Sequence, residues 1–511
     1  MAINETDVQR PIIPGFYPDP SICRAGDTFY LANSSFEYAP GVPLFSSKDL
    51  RSWEFVTNIL ERRDQLDVAT AAPSGGIFAP ALRYHDGRFW MITTNWSDLQ
   101  GQLLVSAENP AGPWSEAVRI PGILGIDPDL AWDEQGHCLV CYSGHSDGPE
   151  PGADGIYQVE INVHSGELLS SPQRIWKGSG LSWPEGPHLY KIGDWWYLMI
   201  AEGGTERGHT VTIARSRSAQ GPFEGCPDNP ILSNRSSSKP VQNVGHADLA
   251  QRLDGSWVMV FHGVRARGSS PKWHTTGRET FACEVLWENG WPVAGAAIEP
   301  PGEAAAVFTE QLSDDALPAG WVGANIFPSE QISRDAGGWR LTAAEHPVFT
   351  GRRQQHLYVI TSAVLEPDTS AALELRIDPQ HAVLVQYDGS RVRALLNLST
   401  AVAELGSIAV AGAPTLSIKA GPHPGLAFLA QTGPDLVTAC VTVNGQETEL
   451  GSIDGRYLST EVAGGFTGRL VGVSAASGSV LIKSFEYRGS DLPTALFPDY
   501  VQPPNPFADL L

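Results

Sequence analysis

The sequence predicts an all-β protein, a five-bladed β-propeller followed by a β-sandwich. One hairpin pattern, a turn containing Asp or Gly before an aromatic or apolar strand, occurs five times in the first part of the chain. The copies are spaced by roughly 50 to 60 residues, which is close to the period of propeller blades. Beyond them, short runs alternate between apolar and polar residues, as antiparallel sheets require.

The composition limits both the architecture and the ligand. A chain of 511 residues is long for one core and is expected to form two or three domains. It carries 57 acidic and 34 basic residues, a formal charge of -23, and no Lys/Arg run. Nucleic acid and other polyanions would be repelled, so a neutral ligand is favoured. The six cysteines are scattered, which indicates buried free thiols.

Neither a membrane span nor a secretory signal is visible. No stretch reaches the roughly 18 apolar residues that a membrane helix needs. The start of the chain, residues 1–7, lacks the charged and apolar regions of a signal peptide. We therefore expect a cytoplasmic protein without a membrane partner.

The repeat also predicts where a functional site should lie. The hairpin turns fall at residues 26–27, 86–87, 134–136, 193–194 and 254–255. Seven to nine residues earlier, where the first strand of each blade should begin, stand Asp19, Ala79, Asp127, Glu185 and His246. First strands line the central channel of a propeller, so these side chains should converge at one mouth. Four of the five are ionisable, which folding alone does not explain.

The acids of this ring suggest acid/base catalysis. Glu185 lies in Trp183-Pro184-Glu185-Gly186-Pro187, where apolar surroundings would raise the pKa of the carboxyl and suit a proton donor. A glutamate that merely caps a turn is the structural alternative. With aromatic neighbours and no phosphate loop, the ring favours hydrolysis of a neutral glycoside. We assign Glu185 as general acid, Asp19 as the base that activates water, and Asp127 as the charge that keeps Glu185 protonated.

Five segments together resemble glycoside hydrolase family 43, the five-bladed β-xylosidases and α-L-arabinofuranosidases. They are residues 14–21, 34–38, 125–130, 185–188 and 277–280. The resemblance covers essentially the whole chain. It implies an inverting mechanism with Asp19 as base, Asp127 as pKa modulator and Glu185 as acid, with the acid and base carboxyls about 6.5 to 9.5 Å apart.

By motif match, the resemblance also implies which residues line the sugar pocket. They are Phe36, Phe78, Ala79, Thr205, His246 and Arg278. Phe78 stands where many relatives carry Trp, and Arg278 is a donor to sugar hydroxyls. His246 has two interpretations, as a plug of the channel or as a water-mediated ligand of a structural calcium ion. Calcium prefers oxygen ligands, and no cofactor is otherwise expected.

The domain prediction assigns residues 1–305 to the catalytic propeller and residues 306–511 to the C-terminal sandwich. Pro300-Pro301-Gly302 lies in the linker, and strands are predicted at residues 372–377, 382–387, 441–443 and 480–485. This part resembles the lectin-like (concanavalin-like) domain of one branch of the family, commonly the β-xylosidases. In those relatives a loop of the sandwich closes the pocket, and Phe466 is the candidate here.

The main functional hypothesis is an exo-acting inverting hydrolase that releases xylose from the non-reducing end of β-1,4-xylo-oligosaccharides. Arabinofuranoside cleavage is an additional expectation, because the two sugars share much of their hydroxyl arrangement. The alternatives are a predominant α-L-arabinofuranosidase, a retaining fructosidase, whose Asn-Asp-Pro-Asn signature is absent, and a sugar-binding propeller without turnover. A homo-oligomer remains an open alternative to a monomer.

Overall fold

The computed structural model describes residues 9–98, 100–144, 154–312, 316–343, 345–425, 431–501 and 503. Within these residues the secondary structure is strands with a few one-turn helices. None of these helices has the length and apolar character needed to cross a membrane. The all-β prediction is confirmed.

Five four-stranded antiparallel sheets form the propeller, and in each of them the strands lie in chain order. The first blade contains β1 (Ser21–Ala25), β2 (Thr28–Ala32), β4 (Gly41–Ser47) and β5 (Glu54–Leu60). The second contains β6 (Ala81–His85), β7 (Arg88–Thr94), β8 (Gln102–Ala107) and β9 (Val118–Ile120). The third contains β10 (Gly125–Trp132), β11 (Cys138–Gly144), β12 (Gly155–Ile161) and β13 (Gln173–Trp176). The fourth contains β14 (Glu185–Ile192), β15 (Trp195–Glu202), β16 (Thr210–Ser216) and β17 (Glu224–Gly225). The fifth contains β18 (Val241–Gln251), β19 (Trp257–Arg265), β20 (Glu279–Glu288) and β21 (Trp291–Ile298).

Each predicted hairpin turn joins the first two strands of one blade. A hydrophobic cluster fills each of the five gaps between neighbouring blades. The alternation of side chains along a strand explains how one blade serves two gaps. On β11, Cys138 and Val140 face the second blade, whereas Leu139 and Cys141 face the fourth. All six cysteines are buried free thiols, as predicted.

The ring of blades is closed by the segment that precedes β1. The amide of Ile12 donates a hydrogen bond of 2.9 Å to the carbonyl of Thr280 on β20 in the fifth blade. Ile12 and Ile13 pack with Val258 and Val260 of that blade. The first and last blades are therefore joined by both backbone hydrogen bonds and apolar packing.

Below the ring of acids, the partly buried guanidinium of Arg83 joins all five blades. Arg83 on β6 lies 2.8 Å from Asp248 on β18 and 2.6 Å from Asp129 on β10. It also lies 2.7 Å from Nδ1 of His188 on β14, and donates to the hydroxyl of Ser21 on β1 over 3.2 Å. Each first strand thus contributes one polar group, and the cation balances two carboxylates that would otherwise be buried without a counter-charge.

Replacing Arg83 with Met should therefore destabilise the propeller strongly. Asp129 and Asp248 would remain buried without their cation, at a cost of about 3 to 5 kcal/mol. Urea denaturation followed by tryptophan fluorescence measures the loss. The control is Arg88→Ala, which removes an exposed ion pair with Glu108 and should cost less than about 1 kcal/mol. Similar midpoints for the two variants would contradict this role of Arg83.

The remaining strands build the sandwich. They are β22 (Phe308–Gln311), β23 (Trp321–Ala324), β24 (Ile332–Asp335), β25 (Gly338–Ala343), β26 (Val348–Arg353), β27 (Tyr358–Pro367), β28 (Ser370–Asp378), β29 (His381–Tyr387), β30 (Arg391–Leu398), β31 (Ala401–Ala409), β32 (Thr415–Gly421), β33 (Leu436–Val443), β34 (Gln446–Asp454) and β35 (Leu470–Ser490). One-turn helices occupy Pro328–Gln331, Thr460–Ala463 and Pro493–Leu496, and a 3-10 turn occupies Gly455–Leu458. The four predicted runs of alternating residues lie in β28, β29, β33 and β35.

The long strand β35 is shared by both layers of the sandwich. Its first part pairs with β26 and β28, and its second part pairs with β25, β27 and β22. Its inward side chains, among them Val473, Ile482 and Phe485, belong to the single apolar core between the layers. The predicted sandwich is therefore confirmed.

Propeller and sandwich share backbone hydrogen bonds, which the sequence did not predict. The short strand β3 (Tyr38–Ala39), within the first blade's segment, pairs with β23. Arg353 of the sandwich lies over the rings of Phe16 and Tyr17, 4.5 Å from each centroid. These contacts lie directly behind the segment that carries Asp19, so the sandwich supports one wall of the site.

Candidate active site

The backbone turns sharply where the acids of the ring are placed. Asp19, Asp127 and His246 have φ values of 54°, 56° and 47°, in the left-handed region that L-residues seldom adopt. The pairing of β10 with β11 shifts register around Asp127, and the pairing of β18 with β19 shifts around His246. Such bulges re-aim side chains. The folded state therefore tolerates an unfavourable backbone conformation that directs these side chains away from the paired strands.

Asp19 is buried and surrounded by donors. Arg278 donates to its Oδ1 over 2.8 Å, and the hydroxyl of Ser34 donates to its Oδ2 over 2.6 Å. Nδ1 of His262 lies 3.0 Å from Oδ1 and 3.2 Å from the amide nitrogen of Asp19. Burial alone would raise the pKa of Asp19, but Arg278 and His262 hold it well below its usual value. The carboxyl is ionised, as a base requires.

The other two acids have the opposite preference. Burial, and then the negative charge of Asp19, raise the pKa of Asp127. The pKa of Glu185 is raised most by burial, and further by the charges of Asp127 and Asp19. Asp127 also accepts a hydrogen bond from the amide of Gly186 over 3.0 Å, next to Glu185. The three predicted acids thus influence one another at one site, with Asp19 ionised and Glu185 protonated near neutral pH.

The predicted wall residues lie around these acids. Arg278 donates to Thr205 over 2.9 Å as well as to Asp19. Phe36 is only 2% exposed, and its ring lies 5.9 Å from that of Phe78 and 5.8 Å from the Arg278 guanidinium. Ala79 is buried beside Phe78. Phe36 and Ala79 therefore form the base of this wall, whereas Phe78 is more accessible.

The sandwich completes the pocket with Phe466. Its ring stacks on Phe36 at 6.0 Å, meets Phe78 edge-on at 6.0 Å and lies 5.5 Å from the Arg278 guanidinium. The Phe466 amide donates to the hydroxyl of Ser74 over 2.8 Å. The Ser74 amide in turn donates to Glu37 over 3.0 Å. The structure places Phe466 over the predicted wall residues, and the propeller itself holds it there.

Several site residues were missed by the sequence analysis. Trp96 is 51% exposed and stacks on Phe78 at 5.6 Å, which extends the aromatic wall outward. Ser34 and His262 contact Asp19, and His209 lies 3.8 Å from Glu185. Ser34 lies inside one of the segments that carry the family resemblance, so its motif could have identified it. The two histidines lie in ordinary blade strands or their flanks and carry no local signal.

The donor set around His246 does not suit direct binding of calcium, and the water-mediated calcium ion stays a prediction. Asp19, His246 and His262 are close enough for their ligand atoms to share one ion. Only one of them offers oxygen, which calcium prefers, and that carboxylate already binds the Arg278 guanidinium. Farther down the channel, Asp129 and Asp248 are bound to Arg83. His246, whose pKa burial lowers to about 3, packs against Gly186 instead.

This propeller pocket has aromatic walls and three carboxyl groups, of which Asp19 is ionised and Glu185 is protonated near neutral pH. Such an arrangement can carry out the acid/base chemistry of a glycoside hydrolase. The model of glycosyl hydrolases family 43 matches residues 8–292. The chain belongs to this family.

Its relatives share the architecture to different extents. The chain is 46% identical over 304 residues to a "Xylosidase/arabinosidase" of Butyrivibrio fibrisolvens, covering 57% of this chain and 56% of the relative. It is 34% identical over 514 residues to a "Non-reducing end alpha-L-arabinofuranosidase" of Bacteroides ovatus, covering 93% and 92%. A solved "xylan beta-1,4-xylosidase" of Bacillus halodurans has a TM-score of 0.83 at 28% identity, covering 94% and 99%. The alignment thus spans about half of the Butyrivibrio relative and nearly all of the other two.

Replacing Asp127 with Asn should move the alkaline limb of the pH profile to lower pH. The negative charge of Asp127 helps to keep Glu185 protonated, so its removal lowers the pKa of Glu185. Activity that requires protonated Glu185 is then lost earlier as the pH rises. The measurement is kcat/KM against pH, with Asp254→Asn in the exposed turn of the fifth blade as control. An unchanged alkaline limb would show that Asp127 does not influence the acid.

Proposed function

We propose that this protein is an exo-acting inverting glycoside hydrolase that releases xylose from the non-reducing end of β-1,4-xylo-oligosaccharides. The observation that carries the proposal is that one pocket contains an ionised Asp19 and a protonated Glu185. Asp19 activates water, and Glu185 protonates the leaving oxygen. Direct attack by water inverts the anomeric centre.

The pocket supports action at chain ends. Phe466 covers the wall formed by Phe36 and Phe78, and its backbone is tied to Ser74. A covered pocket accepts a terminal sugar, whereas a polymer that continued in both directions would need an open cleft. Arg278 donates to Asp19 and Thr205 from this wall, so its guanidinium is also placed to recognise sugar hydroxyls.

Predominant α-L-arabinofuranosidase activity is the second candidate. One observation favours it: the Bacteroides ovatus relative that aligns over 93% of this chain is named a non-reducing end alpha-L-arabinofuranosidase. The Bacillus halodurans structure of similar coverage is named a xylan beta-1,4-xylosidase. The two activities share the same acid and base and differ in how the sugar ring fits against Phe78 and Phe466.

The deciding experiment compares chromogenic β-xyloside and α-L-arabinofuranoside side by side, with proton NMR to identify the first anomer released. We expect faster xyloside hydrolysis with inversion. Glu185→Gln should lower turnover at least about 100-fold through loss of the general acid, while xylobiose binding by calorimetry is retained. Glu206→Gln, on an exposed neighbouring loop, is the matched control. Full activity of the Glu185 variant, or a retained anomer, would refute the mechanism.

We also propose that hydrolysis needs no metal ion. Arg278 and Arg83 already supply positive charge to the carboxylates of the site and of the channel below it. Extended dialysis against a chelator should leave kcat and the thermal midpoint unchanged, and added calcium should raise neither. Loss of activity on chelation with recovery on calcium addition would contradict this proposal.

A further inference from the structure

His209 is a buried histidine next to the general acid that the mechanism above does not use. It directly precedes β16, and its ring stacks on His262 with centroids 4.8 Å apart. The ring also packs against Gly245 so closely that a Cβ at that glycine would lie 2.3 Å from Nδ1. These two contacts restrict the orientation of the imidazole.

The surroundings of His209 determine which nitrogen carries its proton. Nδ1 lies 3.3 Å from the carbonyl oxygen of Asn243, and a carbonyl can only accept, so the proton belongs on Nδ1. Burial lowers the pKa of His209 well below its usual value, so the ring is neutral. Nε2 is left with a bare lone pair. Among the residues that the structure describes, it is buried without a hydrogen-bond partner, and it lies 3.8 Å from Oε1 of Glu185.

We infer that His209 is a positioning residue for the general acid, whose protonated carboxyl donates a hydrogen bond to Nε2 when substrate occupies the pocket. The separation of 3.8 Å exceeds a hydrogen bond, but catalytic hydrogen bonds are often long before substrate binds. An acceptor in this place stabilises the protonated carboxyl and not the carboxylate. The inference rests on the proposed role of Glu185.

The same histidine links the acid to the base. Nδ1 of His209 lies 3.1 Å from Nε2 of His262, and Nδ1 of His262 lies 3.0 Å from Oδ1 of Asp19. With the proton of His209 on Nδ1, His262 accepts at Nε2 and carries its own proton towards Asp19. This arrangement of protons favours an ionised Asp19 and a protonated Glu185 at the same time.

The other titratable or charged groups near Glu185 do not replace this acceptor. Asp127 and Asp19 raise its pKa through their charge, and Arg278 lowers it. Arg278 carries only donors, and Asp127 already accepts from the Gly186 amide. His246 packs against Gly186, on the neighbouring residue. His209 is therefore the neutral acceptor of this group, and its effect on the acid should be separable from that of the charges.

A pair of substitutions tests the inference. In His209→Gln the side-chain amide reaches the place of Nε2 and retains an acceptor, whereas in His209→Asn it reaches only the place of Nδ1. For His209→Asn we expect the alkaline limb of kcat/KM to move to lower pH and turnover of xylobiose to fall about tenfold. His209→Gln should restore most of both.

Substrates with different leaving groups distinguish a loss of acid positioning from a general disruption of the active site. A 2,4-dinitrophenyl xyloside needs little protonation, so His209→Asn should hydrolyse it nearly as fast as the unmodified enzyme. Equal losses on both substrates, or an alkaline limb that is the same in all proteins, would overturn the inference. Activity of the unmodified enzyme and its loss in Glu185→Gln report separately on the proposed function.

A second variant perturbs the histidine without replacing it. Gly245→Ala places a methyl group against the His209 ring and must displace it. We expect the same shift of the alkaline limb and the same dependence on the leaving group as for His209→Asn. Thermal unfolding verifies that each variant is folded. A folded Gly245→Ala with an unchanged pH profile would also overturn the inference.

Discussion

The site depends on one guanidinium, that of Arg278, beside three carboxyl groups, of which Asp19 and Asp127 are buried and Glu185 is partly buried. Arg278 binds Asp19 directly, while Asp127 and Glu185 are farther from its charge. Because one cation cannot compensate three carboxylates in a desolvated pocket, the group nearest to it ionises and the others resist ionisation. The division between base and acid follows from this imbalance. A second cation beside Glu185 would remove this imbalance of charge.

The left-handed backbone at Asp19, Asp127 and His246 has an energetic cost that the rest of the propeller must offset. Five apolar clusters between the blades provide the packing, and the first and last blades are joined at Thr280. Immediately below the strained residues, Arg83 connects polar groups from all five first strands. The residues with left-handed backbone therefore lie directly above the contacts of Arg83, which help to keep the acids in place.

The sandwich takes part in the site as well as in the fold. The residues that precede Arg278 are held by the sandwich: Glu461 accepts from the amide of His274 over 3.0 Å, and the Arg469 amide donates to Thr275 over 2.9 Å. Phe466 lies between these two anchor points. A loop bound on both sides places its ring with little freedom, so the enclosure of the pocket and the position of Arg278 are coupled.

The sequence by itself determined the blades, the ring of acids and the alternating strands of the sandwich, because period-two patterns and hairpin turns act between near neighbours. It also indicated Asp19, Asp127, Glu185 and, through the family resemblance, Phe466. Only the tertiary structure decided that β3 pairs with the sandwich, that Arg83 binds Asp129 and Asp248, and that His209 and His262 lie between acid and base. Those contacts join residues far apart in the chain, and no local pattern records them. The protonation of each carboxyl was decided in the same way, since burial and distance to Arg278 exist only once the blades have closed.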